Sequence, residues 1–334
     1  MLHSPLYKFI GLISLIMAVI LLFLSSLAVG QTSIPLSETW EALIQYDPDN
    51  TNHLIIGTSR LSRAVISIVI GMNLALAGVF VQALTRNPLA APDLLGINAG
   101  AIFFIVFAIT WLEVSSLSGY MWFAFLGAAV AGGTVFFLGS LGRDGLTPIK
   151  VLLAGVALTA LFVSFTQGML VIDEQSIQTV LFWIAGSVAG RDMDLLMSVL
   201  PFLVSALIVS FFMARPMGIF SSGDDVAKGL GQKVGLLKLT LGLLVIVLAG
   251  SSVAVVGSIG FIGLIVPHMA KSLVGTDYRW VLPYSGLLGA AILLSADVAA
   301  RIIIAPQEVP IGVMTAIIGG PFFIYLAKKG VSKK

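Results

Sequence analysis

Two arginines three residues apart open an apolar run at Arg60-Leu61-Ser62-Arg63. On a helix that spacing puts both guanidiniums on one face, where their planar forks can grip carboxylates. The competing reading is that they anchor the helix among lipid headgroups. A third arginine, Arg301, follows Asp297 by four residues. A helical pair at that spacing lowers the cost of holding either charge in an apolar setting, so a purely structural ion pair competes with a binding role.

A second cluster lies in 221–237, SSGDDVAKGLGQKVGLL. Ser221 or Ser222 can cap a short helix, Asp224 and Asp225 suit the positive end of its dipole, and Gly231 can end it. Such a helix serves either as a solvated connector or as a docking element for a partner. A weaker set, Ser164, Thr166, Gln167 and Met169, is expected to line a central passage between helices, although Ser and Thr in membrane helices also serve packing. His268 reads as a structural histidine at a helix end.

Other chemistries lack their residues. There is no cysteine and there are three histidines. No GxxxxGK[ST] phosphate loop, GxSxG elbow or HExxH pair occurs. The expectation is therefore no catalytic residue, no metal and no cofactor. Any energy source other than an ion gradient must come from another subunit.

The elements that carry these clusters are apolar. Hydrophobic residues form 58% of the 334 positions and charged ones 10%, well under the roughly 25% charged of a soluble domain. Runs long enough to cross a bilayer, which takes about 20 apolar residues, lie at 9–29, 64–84, 94–112, 120–141 and 151–172. Five more lie at 195–213, 236–250, 253–270, 281–304 and 311–327. The run at 9–29 is too long for a signal-peptide core of roughly 7–15 residues and reads as a first span.

An N-terminus inside puts 14 of the 18 Lys and Arg residues on the cytoplasmic side, Arg143, Lys333 and Lys334 among them, as the positive-inside rule expects. Only Arg60, Arg63, Arg191 and Arg301 fall outside. The fold class predicted is an all-α membrane protein of about ten transmembrane helices with both termini cytoplasmic. A single transmembrane domain spans 1–334, with an external loop at 31–59 and a cytoplasmic loop at 214–235. The stretch 179–190 is too short to span and reads as a half-helix at the outer face. Gly71, Ala75 and Gly78 invite close helix packing, and Gln82 and Asn87 are expected to satisfy backbone freed by the Pro-bounded break at 86–92. The net charge of +2 and the scattered basic residues give no nucleic-acid surface.

Several long stretches, in order, resemble the permeases of the iron-siderophore, haem and vitamin B12 class of binding-protein-dependent ABC importers. They are RLSR at Arg60, GMNLALAGVFVQALTRNPLAAPDLLGINAGA, GDDVAKGLG, GFIGLIVPH, GTDYRWVLP and ADVAARIIIAPQEVPIGVMTAIIGGPFF. The resemblance covers about 58–328. It departs from the usual pattern at Ser62 (proline), Tyr278 (histidine) and Lys271 (arginine).

The resemblance implies ten helices per subunit, a second permease subunit (identical or paralogous), two ATP-binding subunits and an extracytoplasmic substrate-binding protein. Under it Arg60, Arg63 and Arg301 meet acids of the binding protein, and Gly223, Asp224, Asp225, Ala227, Lys228 and Gly231 form the loop that couples to the ATPase. The function expected is import of an iron-siderophore complex across the bacterial cell membrane, with ATP hydrolysis by the partners. Haem or cobalamin is the alternative cargo. A gradient-driven transporter, for which Asp297 is the sole intramembrane candidate, and a membrane-embedded enzyme are the competing classes.

Overall fold

The computed structural model describes residues 2, 4–30, 32–142, 145–172 and 176–331. Arg143, Lys333 and Lys334, expected to be cytoplasmic, lie outside the described residues. Within the described residues the regular structure is helical. In chain order the first helices are α1 (Pro5–Ala28), α2 (Leu36–Ile44), α3 (Thr51–Ile55), α4 (Leu61–Thr85) and α5 (Ile97–Leu112). A π-helical turn, Ile56–Arg60, leads into α4, and a 3-10 turn, Pro92–Leu95, precedes α5. Next come α6 (Leu117–Ser140), α7 (Pro148–Ile172), α8 (Ser176–Ala185), α9 (Met193–Phe212) and α10 (Ala214–Phe220). The last are α11 (Asp224–Gly229), α12 (Val234–Val256), α13 (Ile262–Val274), α14 (Tyr278–Ile302) and α15 (Ile311–Val331).

Seven stretches are long and apolar enough to cross a membrane: α1, Thr51–Thr85 ending in α4, α6, α7, α9, α12 and α14. Three shorter apolar helices, α5, α13 and Ile311–Tyr325 of α15, accompany them. Among the long helices α4 and α12 are mostly enclosed by protein, whereas α1 and α7 leave most of their length uncovered. Their exposed side chains are mostly leucine, isoleucine, valine and phenylalanine, the surface that a hydrocarbon solvent accepts.

The bundle closes around α4, which packs on α14, α12 and α13. Its glycines make this possible. A Cβ on Gly71 would collide with the Gly289 carbonyl of α14, and one on Gly78 would collide with the Gly263 carbonyl of α13. Gly100 of α5 and Gly127 of α6 repeat the arrangement. Backbone approach through small residues replaces the hydrophobic drive that lipid cannot supply.

The sequence places the seventh break at 250–253, but α12 runs through Gly250 to Val256 and the chain turns at Gly257–Phe261. Gly257 has φ 79° and Phe261 φ 69°. Gly250 instead accommodates Ala128 and Phe125 of α6. The freed backbone at the turn is paired with the end of α8: Ser258 N–H donates to the Trp183 carbonyl at 2.8 Å, and Ser187 N–H to the Val256 carbonyl at 2.8 Å. Pro267 has no N–H to give the Gly263 carbonyl of α13, and Gln82 of α4 donates there at 3.5 Å and to the adjacent Leu264 carbonyl at 3.1 Å. Asn87 accepts from Leu89 N–H at 2.9 Å in the 86–92 break, as expected, whereas Gln82, expected to serve the same break, reaches across to α13 instead.

Candidate functional site

Helix α4 carries a charged group at each end. Arg63 and Arg86 are 23 residues apart, which at 1.5 Å per residue separates them by about 35 Å. Each organises a different cluster.

At the N-terminal end of α4, Arg63 is 9% exposed, Arg60 5% and Arg301 3%. The structure brings the three together. Arg63 Nη2 donates to Asp297 Oδ1 at 2.8 Å, while its Nη1 holds both Glu308 oxygens, at 3.0 and 2.7 Å. Asp297 also accepts from Arg301, the i,i+4 pair anticipated from the sequence. Arg60 and Arg301 serve the end of α1. Arg60 Nη1 donates to the Leu27 and Ala28 carbonyls at 2.7 and 2.8 Å, and Arg301 Nη1 to the Ser26 carbonyl at 2.9 Å. These are carbonyls the helix itself leaves unpaired, where cations are favoured by the dipole.

The same side chains line a cleft of about 290 Å³, with Gly30, Thr32, Ser59 and Glu308 around them. Three guanidiniums face two carboxylates, so the cluster carries one net positive charge. Glu308, with 24% of its side chain exposed, is the more accessible of the two acids. Arg191, after α8, is 8% exposed and stacks on Trp183 at 4.4 Å. Burial pushes its pKa down to about 10.

At the other end, the backbone turns left-handed at Arg86 (φ 51°), which aims its guanidinium at the loop before α12. There α11 begins at Gly223, whose φ of 122° suits glycine alone, so neither Ser221 nor Ser222 acts as the cap. Asp224 pairs with Arg86 and accepts from Lys238 of α12 at 2.7 Å. Desolvation works to raise the Asp224 pKa, but the hydrogen bond and charge of Lys238, with Arg86 and Lys228, outweigh it and hold the carboxyl below its usual range.

Ala227 is fully buried under α11, Asp225 and Lys228 are exposed, and Gly231 (φ 80°) follows the helix as expected. Thus α11 is a short helix clamped by its first acid, with an uncovered outer face. Of the weaker set on α7, Thr166 is buried and bonded to Phe162 of its own helix at 2.7 Å, Ser164 and Gln167 are exposed and Met169 is half-buried.

Reasoning from sequence missed Glu308, Lys238 and Arg86 as ion-pair partners. Arg63 and Glu308 lie 245 residues apart, so no local spacing links them.

The profile of the FecCD transport family matches residues 17–329. The chain belongs to the FecCD transport family. Its relatives span nearly the whole length. A Bacillus subtilis protein named "Probable siderophore transport system permease protein YfiZ" is 50% identical over 97% of each chain. The ferric enterobactin transport system permease protein of Escherichia coli is 41% identical over 91% of this chain and 90% of its own. Among solved structures, an inward-facing metal-chelate type ABC transporter superposes with a TM-score of 0.84 at 29% identity, over 95% of this chain and 98% of that one. The FecCD chain described here is accordingly a multi-pass, all-helical membrane permease.

Proposed function

We propose that this chain is the permease subunit of an ATP-driven importer that carries an iron-siderophore complex across the cytoplasmic membrane of a bacterium. The observation that carries the reading is identity of 41–50%, over 91–97% of this chain, to permeases named for siderophore, hydroxamate, citrate and enterobactin transport systems. Seven long and three shorter apolar helices support ten spans, and the excess of Lys and Arg on one side supports placing both termini in the cytoplasm.

In this reading the Arg86 end of α4 faces the cytosol and the Arg63 end faces outward. Two ATP-binding subunits hydrolyse ATP, and the loop of Gly223, Asp224, Asp225, Ala227, Lys228 and Gly231 passes their movement to the bundle. The Asp224 clamp supports that role. A short helix tied by ion pairs to the ends of α4 and α12 transmits a push as a rigid body instead of absorbing it.

An extracytoplasmic binding protein docks over the cleft of Arg60, Arg63 and Arg301. Because those guanidiniums are buried, the partner's acid reaches into the cleft, where a desolvated charge pair contributes more than one at an exposed rim. A second permease subunit, identical or paralogous, completes the pathway, to which Ser164, Thr166, Gln167 and Met169 of α7 contribute.

The test is radiolabelled iron uptake by cells deprived of this chain, supplied in turn with hydroxamate, catecholate and citrate chelates of iron. The reading predicts loss of at least one of these uptakes and its return with the intact gene. Undiminished uptake of every chelate would refute the iron-siderophore assignment.

A further inference from the structure

A groove between α6 and α12 encloses about 550 Å³, within the range of roughly 300–1,000 Å³ that ligand sites occupy. Two stripes of exposed residues at helical spacing form its walls. Gly133, Phe137 and Ser140 stand on α6, and Gly235, Leu239 and Leu243 on α12. Phe136, packed on Gly242, forms the floor with Val234 and Ile246. The walls are open: a Cβ on Gly133 or on Gly235 would meet nothing within 4 Å. Phe137, Leu239 and Leu243 are 63%, 54% and 53% exposed, so the groove is continuous with apolar surface on both flanks.

One end of the groove is charged. Asp224, Lys228 and Lys238 line it, and Arg86 reaches the same Asp224 carboxylate. Three cations against one anion leave a net charge of +2. Asp225, on the same helix, is exposed and does not line the groove. Lys238 is engaged by Asp224 and the Leu146 carbonyl at 3.0 Å, whereas Lys228 has no ion pair within 4 Å among the described residues. An apolar trough running along two helices and ending in a cationic mouth matches one amphiphile. Its tail is a hydrocarbon chain and its head an anion at the membrane surface.

We propose that the α6–α12 groove binds one anionic phospholipid of the cytoplasmic leaflet, with an acyl chain between the two stripes and its phosphate at Lys228. The assignment of leaflet rests on the orientation given under Proposed function. The lipid would then touch the loop that carries ATPase movement, through Lys228 of α11, and tie coupling to membrane composition.

The experiment is native mass spectrometry of the purified chain carrying phosphatidylglycerol, with phosphatidylcholine as competitor. Wild type should retain one phosphatidylglycerol that phosphatidylcholine does not displace. Gly133→Leu, which fills the trough without touching the loop, should lower that affinity about tenfold, and Lys228→Gln should erase the preference for the anionic head. Gly235→Leu blocks the facing wall and replaces Gly133→Leu should that variant fail to fold.

Unchanged retention in the folded groove variants, or equal binding of phosphatidylcholine by wild type, overturns the site. Loss of permease dimers in Gly133→Leu with lipid count unchanged also overturns it, by making the groove a subunit interface. Failure of the transport reading would appear elsewhere, as absent ATP-driven uptake, and leaves this lipid measurement independent.

Discussion

Arg63 and Asp297 meet at 2.8 Å inside the bundle, joining α4 to α14 where Asp297 already holds Arg301. One buried carboxylate thus serves two guanidiniums, and it is 1% exposed. Removing it as Asp297→Ala would leave Arg63 and Arg301 facing each other in a desolvated site. Breaking a buried pair in this way costs about 3–5 kcal/mol. The expected outcome is a large fall in the thermal unfolding midpoint of the purified permease and little protein in the membrane. A midpoint within a degree or so of wild type would show that the ion pair does not hold these helices.

The burial of Arg60, Arg63 and Arg301 changes how docking should be tested. Charge reversal at Arg60 or Arg63 would also remove the caps on α1 and the α4–α14 bridge, so lost docking would have two explanations. Glu308 offers a cleaner probe, since it occupies Arg63 from the accessible side of the cleft. Glu308→Gln should raise the affinity for an acidic binding protein several-fold and steepen its salt dependence, because one opposing charge is gone. Unaltered affinity and salt slope, measured by titration in nanodiscs, would count against docking through this cleft.

Much of this was legible in the sequence, and the reasons differ by element. Spans were readable because hydrophobic length is set by the bilayer and needs no partner to be recognised. The Asp297–Arg301 pair was readable because both residues lie on one helix, at helical spacing. Gly71 and Gly78 announced close packing, though not that Gly289 and Gly263 lie opposite. Arg63–Glu308 and Asp224–Lys238 join distant or differently oriented elements, and pairing of that kind leaves no periodic trace. The break after α12 was displaced because Gly250 looks like a turn residue, whereas in the bundle it makes room for Ala128 and Phe125.

On the proposed coupling role, the loop 223–231 should be sensitive to Asp224 and insensitive to mild acid. Asp224→Asn keeps the shape but releases Arg86 and Lys238, so ATP hydrolysis by the assembled transporter should continue while uptake per ATP falls. Full uptake per ATP in that variant would remove the clamp from the mechanism.

The pH dependence follows from the lowered pKa of Asp224. A carboxylate of this kind contributes stability that is complete above its unfolded value of about 3.9 and is lost as pH falls through its lower folded value. Hydrogen exchange in 223–231 should therefore stay slow from neutral pH to about 4 once corrected for the intrinsic rate. Loss of protection already at about pH 5–6 would contradict the pairing.

Close packing between α4 and α13 predicts a further loss. Gly78→Ala places a methyl group against the Gly263 carbonyl, and overpacking of this sort costs about 1–3 kcal/mol. The lowered unfolding midpoint should be accompanied by reduced transport, since α13 and the Gln82 contact shift together. Gly218→Ala, where nothing lies within 4 Å, is the matched control and should leave the midpoint unchanged.

The account as a whole stands on energy that enters from outside the chain. Sealed proteoliposomes containing the permease, its ATPases and its binding protein, loaded with radiolabelled ferric siderophore on the binding-protein side, measure this directly. The account predicts accumulation only when ATP and all partners are present, and none from the permease alone under a proton or sodium gradient. Uphill uptake by the isolated permease without nucleotide would contradict it.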